Sequence, residues 1–335
     1  MKEYETEAIR NIAFVGHGGS GKTTLSEIML YTAGETTRIG KIEEGNTISD
    51  YTPNEIEKQI SITTGIMHLE WNNCKINILD TPGYSDFTGE VRSALKVCET
   101  AVILIKSAEG VEVGTETAAD IIKRNKLPKS VIINKVDNEH SIFDATLAQA
   151  KDRISSDATV ITFPVSEGIN FDTVIDVVKM KAYTYGEAGS KKVTEADMPD
   201  DLKEKAENYR TELIEKIAET SEELMNKYFE EGTLSENDLL KGLKDAIKSG
   251  SLVPVFALSS IKGVGVNNFL DFASQYFPSP ADTEGAEATL AGKDDKVLIK
   301  VDKNGEPAIF IFKIISEQHV GELSLFKVYS GSVSA

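Results

Sequence analysis

The stretch Ile12-Ala13-Phe14-Val15-Gly16-His17-Gly18-Gly19-Ser20-Gly21-Lys22-Thr23 decides the fold. Four apolar residues, the pattern of a buried strand, run into a glycine-rich loop, and a helical pattern from Leu25 to Tyr31 follows. The loop fits G-x-x-x-x-G-K-[ST]. A strand before it and a helix after it are the context that distinguishes a phosphate loop from a mere glycine-rich turn. In such a loop the backbone N–H groups face a β-phosphate, and the helix N-terminus adds a favourable dipole. Gly16, Gly18, Gly19 and Gly21 let the backbone come close. Lys22 is then expected on the β- and γ-phosphates, and the Thr23 hydroxyl on Mg²⁺.

Three later segments extend this reading. Asp80-Thr81-Pro82-Gly83 follows the apolar run Ile76 to Leu79, where a second magnesium-holding carboxylate belongs. Gly83 can offer its N–H to a γ-phosphate, whose loss would release the segment that follows. In Asn134-Lys135-Val136-Asp137, the carboxylate of Asp137 can accept from N1–H and the 2-amino group of guanine. Adenine has neither donor, so a carboxylate placed to pair would discriminate strongly. Asn134 can fix the loop and the base, and the aliphatic stem of Lys135 can lie over the ring. Ser259-Ser260-Ile261 can supply a backbone N–H to the guanine carbonyl, although read alone it is only a loop. Together the four segments indicate a GTP-binding switch domain.

Working outward, apolar runs alternate with helical patterns. Ser61 to Trp71 and Lys75 to Leu79 read as a hairpin turning at Asn72-Asn73. Ala101 to Ile105, Ser130 to Ile133 and Val253 to Leu258 read as parallel strands, the first covered on both faces. The expected fold class is α/β, a P-loop GTPase with a doubly wound, mostly parallel sheet and ligands at the strand C-termini. Arg38 to Ile60 is polar and aperiodic, and it lies where a GTPase keeps its first switch. Val174 to Lys181 reads as a short helix. Leu202 to Ala218, Glu222 to Glu231 and Glu236 to Lys248 read as amphipathic acidic helices of an insertion. After Pro278-Ser279-Pro280, strand-like alternation over Lys296 to Val301, Ala308 to Ile315 and Leu323 to Val328 suggests part of a β-barrel, and hence a piece of a longer protein. The expected domains are 1–163 with 251–280 (GTP-binding), 164–250 (insertion subdomain), 281–294 (linker) and 295–335 (incomplete β-barrel).

The formal net charge of −18 disfavours a surface that coats nucleic acid generally, while leaving room for a local ribosome contact. The chain has two cysteines, Cys74 and Cys98, in no metal-binding spacing, and both read as small buried residues. No apolar run approaches the roughly 20 residues that span a bilayer, and the N-terminal residues are polar. A cytoplasmic monomer with no membrane and no DNA partner is expected.

These residues resemble the N-terminal part of elongation factor G and its paralogues among the translational GTPases, over nearly the whole chain. Asp80 to Thr88 is similar to the family's second switch. Val177 to Gly186 looks like the start of its insertion subdomain, Phe277-Pro278-Ser279-Pro280 like its exit into the second domain, and Tyr329-Ser330-Gly331 like a strand of that domain. The resemblance implies GTP hydrolysis, action on the ribosome, and contacts with ribosomal RNA and stalk proteins, the last through the insertion. It also implies a family Asp where this chain has Gly19. The family's Arg-Gly-Ile-Thr-Ile is replaced by Lys58-Gln59-Ile60-Ser61-Ile62, and its water-positioning His by Tyr84. Ser61 keeps a hydroxyl for Mg²⁺, whereas a phenol, the group Tyr84 supplies, is a poorer base than an imidazole. Such departures resemble a divergent paralogue, and a GTP-gated ribosome binder with little hydrolysis is the alternative.

The expected nucleotide-binding residues are Gly16, His17, Gly18, Gly19, Ser20, Gly21, Lys22, Thr23, Thr24, Asp80, Thr81, Pro82, Gly83, Asn134, Lys135, Asp137, Ser259, Ser260 and Ile261. Thr23, Ser61 and Asp80 are the expected metal set for Mg²⁺ beside GTP or GDP, and Gly83, Tyr84 and Lys22 the expected catalytic set. His17 reads as a loop-holding residue, His68, His140 and His319 as surface or packing residues, and Trp71 as packing.

Overall fold

The computed structural model describes residues 2–186, 192–317 and 321–334; His319 lies outside them. The phosphate-loop strand is β1 (Ile9–Val15), and α1 (Lys22–Ala33) follows its loop. Gly34, left-handed at φ 88°, ends α1 by donating its N–H to the carbonyls of Leu30 and Tyr31. The polar stretch expected to be aperiodic contains α2 (Pro53–Lys58). A capping box starts this helix: Thr52 accepts from the Glu55 N–H and Glu55 reaches back to the Thr52 N–H, with Pro53 in the first turn.

The hairpin is β2 (Gly65–Trp71) and β3 (Cys74–Asp80). Asn72 and Asn73 have φ of 47° and 60°, and two left-handed residues in a two-residue turn match the twist of the flanking strands. The expected strand start at Ser61 moves to Gly65, because residues 61–64 are taken up by contacts with the first switch. Next come α3 (Thr88–Val97), β4 (Thr100–Lys106), α4 (Val113–Asn125), β5 (Lys129–Asn134), α5 (Phe143–Arg153) and β6 (Ala158–Val160).

One residue after β6, the chain leaves the main sheet for an insertion. Here the expected short helix over Val174 to Lys181 is replaced by strands. Among the described residues β7 (Thr162–Pro164), β8 (Thr173–Asp176), β9 (Lys181–Tyr185) and β10 (Val193–Ala196) form a four-stranded antiparallel sheet. The left-handed Met180 (φ 53°) closes the turn between β8 and β9, and buried Val174 and Ile175 favour the pleated surface over a helix. The helical part follows as α6 (Lys203–Ala218), α7 (Glu222–Glu231) and α8 (Glu236–Ser249). Ser221 and Ser235 cap α7 and α8 by accepting from Leu224 and Asp238 N–H.

The chain then re-enters the main sheet as β11 (Val253–Ala257), followed by α9 (Val266–Tyr276). The sheet order is β2-β3-β1-β4-β5-β11-β6, seven strands with only β2 antiparallel. Thr100 through Ile105 of β4 are all buried, so both faces of the sheet are covered, as the unbroken apolar run predicts. Phe256, Phe269, Phe272 and Phe277 pack edge to face between β11 and α9. Trp71 is half-buried there and its indole N–H donates to Asp271 (2.8 Å). Cys98 is buried, and burial pushes its thiol up to about 12; Cys74 is only half-buried.

The stretch 281–294, expected as a linker, contains β12 (Ala286–Thr289), which pairs with β13 (Lys296–Ile299). β14 (Ala308–Glu317) and β15 (Gly321–Ser330) form a long antiparallel hairpin. Sequence reading passed over β12 because its residues, Ala286-Glu287-Ala288-Thr289, carry almost no apolar signal.

Candidate nucleotide site

The loops that follow β1, β3, β5 and β11 all leave the same edge of the parallel sheet, and this edge brings the four segments together. Asn134, fully buried at the end of β5, is the junction. Its Nδ2 donates to the Ser20 carbonyl (2.8 Å) and to Ser260 Oγ (3.0 Å), and its Oδ1 accepts from the Ser260 N–H (2.9 Å). One amide therefore joins the phosphate loop, the guanine-reading loop and the serine pair. The Ser259 N–H donates to Val264 O (3.1 Å). Both serine N–H groups are thus committed within the protein, which leaves Ile261, exposed on the rim, as the residue whose N–H suits the base carbonyl. Lys135 is left-handed (φ 60°), and a buried carboxylate oxygen of Asp137 has no protein partner.

Gly21 has φ 92°, and a Cβ on it would collide with Asn134 Nδ2 and touch Ser260 Oγ. Gly83 shows a different kind of closeness: a Cβ there would stand 2.6 Å from Lys22 Nζ and 2.7 Å from the Gly18 nitrogen. The second-switch turn is therefore folded down onto the phosphate loop. Gly19, where the resembling family has an acid, faces open space. Lys22 is buried and donates to the carbonyls of Gly16 (3.1 Å) and His17 (3.0 Å). Burial pulls its ammonium down to about 8, against the pull of Asp80 and Asp50.

The expected metal residues meet. Thr23 Oγ1 donates to Asp80 Oδ2 (2.7 Å) and lies 3.2 Å from Ser61 Oγ. Sequence reading missed two further members. Ser49 donates to Asp80 Oδ2 (3.2 Å), and Asp50 accepts from Ser61 (3.2 Å). No local pattern marks Ser49-Asp50, since only the folded path of the first switch brings them here. Burial pushes Asp80 up to about 7 and Asp50 up to about 6, with hydroxyl donors opposing it. Asp80 Oδ1 and Ser20 Oγ are buried with no protein partner. Clustered hydroxyls, two carboxyls uneasy in burial and an unpartnered carboxylate oxygen are the donor set that a hard divalent cation beside phosphate satisfies. The residues fit Mg²⁺ and a guanine nucleotide.

Other expected residues serve the scaffold. The Thr81 hydroxyl and N–H both donate to Phe14 O (2.6 and 3.3 Å), lacing β3 to β1, and Pro82 is buried behind it. Thr24 is half-buried on α1. His17 Nδ1 accepts from the Gly114 N–H (3.3 Å) and its Nε2 lies 3.4 Å from Glu112, so its ring is turned to the start of α4. Tyr84 is 47% exposed with its ring beside Gly18, which places it at the mouth of the site. His68 and His140 are exposed.

The first switch is held by carboxylates from its flanks and from its own helix α2. Glu27 of α1, 1% exposed, accepts from the N–H groups of Gly40 (3.1 Å) and Ile48 (2.6 Å). Glu55, 0% exposed, accepts from Ile62 (3.0 Å) and Thr63 (3.1 Å) N–H, and Glu90 of α3 accepts from Thr64 N–H (2.7 Å). The Thr52-x-x-Glu55 spacing with Pro53 between was a readable signal for part of this arrangement.

A phosphate loop, a paired hydroxyl–carboxyl cation cluster and a guanine-reading loop on one edge of a mostly parallel sheet define a P-loop guanine-nucleotide-binding protein. Residues 7–279 match the family model described as the elongation factor Tu GTP binding domain, and the chain belongs to that family, whose GTPases bind GTP or GDP with Mg²⁺. The chain's sequence is also similar to an elongation factor G. It is 34% identical over 327 residues to Elongation factor G 1 of Syntrophomonas wolfei subsp. wolfei, covering 98% of this chain and 49% of that protein. A crystal structure of a Thermus thermophilus protein superimposes with TM-score 0.85 at 32% identity, over 97% of this chain and 46% of the other. The chain spans about half the length of these relatives.

Proposed function

We propose that this chain is the guanine-nucleotide switch of an elongation-factor-G-like translation factor that hydrolyses GTP on the ribosome. The observation that carries this reading is the meeting of Thr23, Asp80 and Ser61 beside Lys22, with the Asp137 carboxylate oxygen left unpartnered. In this reading Gly16 to Thr24 and Lys22 hold the phosphates, and Asp137, Asn134 and Ile261 select guanine. Thr23, Ser61 and Asp80 hold the cation. Mg²⁺, when bound, offsets phosphate charge as the transferred group departs. Gly83 and Tyr84 close the mouth over the phosphate loop and orient the attacking water. Residues 1–161 and 251–280 form the switch domain, 162–250 its insertion, which takes in β7, and 286–335 the start of a second domain, which takes in β12. Ribosomal RNA and stalk proteins are the partners, and the protein works as a cytoplasmic monomer. The similarity to Elongation factor G 1 supports the ribosomal part of this reading.

A second reading has its own support. Gly19 leaves open space where the resembling family has an acid, and Tyr84 puts a phenol where that family has an imidazole, so the mouth lacks one carboxylate and its best general base, which favours a GTP-gated ribosome binder with muted hydrolysis. Multiple-turnover GTP hydrolysis by the native protein, with and without purified ribosomes, tests both. Strong stimulation is expected. Tight nucleotide binding without stimulation, with turnover regained by Tyr84→His, would favour the second reading. Failure to bind guanine nucleotides would sink both.

A further inference from the structure

The exit of the first switch and the second-switch helix α3 meet at one side chain from far along the chain. Lys313 of β14 is only 12% exposed. Its Nζ donates to the Thr64 carbonyl (2.7 Å) and lies 3.3 Å from Glu90 Oε2. The same Glu90 oxygen accepts from the Thr64 N–H, and the Thr64 hydroxyl donates to the Glu90 carbonyl (3.4 Å). Thr64 is thus engaged through its N–H, its hydroxyl and its carbonyl. It stands three residues after Ser61 of the cation cluster, and Ile62 and Thr63 between them are held by Glu55. At the other end of α3, Lys327 of β15 pairs with Glu99 and donates to Val97 O (3.0 Å), and Tyr329 donates to Lys96 O (2.9 Å). Clefts of about 470 and 490 Å³ are lined jointly by hairpin residues and by residues of the nucleotide domain. The side-chain hydrogen bonds of the hairpin named here fall on Thr64, on α3 and on Glu99 just beyond it.

We infer that Lys313 is a positioning residue that ties both switches to the β14–β15 hairpin, so that the hairpin is docked when Ser61 stands against Thr23 and is released when the first switch withdraws. The inference rests on the nucleotide-switch reading above. Lys313 reaches neither phosphate nor base. It acts by stabilising one arrangement of the switches, and it therefore favours whichever nucleotide favours that arrangement. The coupling is reciprocal: a γ-phosphate that holds the switches also holds the hairpin. A largely buried lysine that donates to both a carboxylate and a backbone carbonyl is worth about a tenfold change in an equilibrium.

The test is fluorescence titration of the full chain with labelled GDP and with a labelled non-hydrolysable GTP analogue, both with Mg²⁺. Lys313→Met is expected to weaken the analogue about tenfold relative to GDP, and Lys313→Arg to regain part of that ratio. In the wild-type chain, amide exchange in β14 is expected to slow with the analogue but not with GDP, a difference that Lys313→Met abolishes. Equal weakening of both nucleotides, or no change in either, would overturn the inference and leave the nucleotide reading standing. If the wild-type chain binds neither nucleotide, the nucleotide reading fails and takes the inference with it. Should Lys313→Met not fold, Glu90→Gln removes the pair's other charge and must shift the ratio in the same direction.

Discussion

The phosphate loop and the first switch adjoin the same cation cluster but are held in opposite ways. Residues 16–23 are shaped mostly from within: left-handed glycines, carbonyls turned toward Lys22 and the first turn of α1, with the Asn134 amide on the Ser20 carbonyl as a distant clamp. Residues 40–64 are held by carboxylates on three helices, Glu27, Glu55 and Glu90, each accepting main-chain N–H groups of the segment. A loop shaped chiefly by adjacent residues has few distant tethers to lose. A segment tethered through side chains can let go one tether at a time, and low-stability segments of this kind are where switching occurs.

The largest effect that would break this contrast is expected at Gly21. Gly21→Ala forces a Cβ into Asn134 at a left-handed position, and affinity for GDP and GTP alike is expected to fall about a hundredfold or more in a fluorescence titration. Near-normal binding would mean that the loop adapts as readily as the switch. Glu55→Ala should do something narrower. It leaves the N–H groups of Ile62 and Thr63 without partners, so their amide exchange is expected to quicken about 10- to 100-fold, with GDP affinity within about threefold of wild type. An equal loss of GDP binding would show that the switch is part of the rigid site.

A smaller effect concerns the point where the two regions touch. Burial raises Asp80 from 3.8 to about 7, so the folded, nucleotide-free protein holds a proton there more tightly than the unfolded chain does. This group's contribution to stability is present at about pH 4 and is lost as pH rises to about 7. Urea midpoints of metal-free protein should therefore fall between pH 5 and pH 7.5, and Asp80→Asn should flatten the fall. An unchanged slope would place the pH dependence elsewhere. The mildest change is Glu27→Gln, which keeps one acceptor oxygen for two N–H groups. It should cost about 1 kcal/mol by urea unfolding. A null result would mean that α1 contributes no tether.

The same contrast explains what was legible in the sequence. Glycine spacing and the strand before it announce a backbone-built loop, because the constraint lies in adjacent residues; the Asn134 segment and the central strands were readable for the same reason. The first switch was not readable as structure. Glu27 and Glu90 lie far from it along the chain, and Ser49 and Asp50 matter only once the segment folds over Asp80. The capping box at Thr52 was a local signal overlooked in a polar stretch. Val174 to Lys181 went wrong because a short apolar run carries no decisive period, and the left-handed Met180 that makes it a hairpin has no signature residue type. β12 was overlooked because a strand of alternating Ala and Glu resembles a linker.

The placement of β11 between β5 and β6 has a consequence for synthesis. β6 emerges from the ribosome well before β11, the strand that joins it to the sheet, and everything from 161 to 252 must be translated in between. At ordinary elongation speeds that gap lasts on the order of ten seconds. During it the edge of β5 is bare, and the apolar surfaces that later receive the phenylalanine cluster of β11 and α9 are uncovered. The insertion has that interval in which to fold by itself, and the guanine-reading loop gains its serine partner only when the last strand arrives.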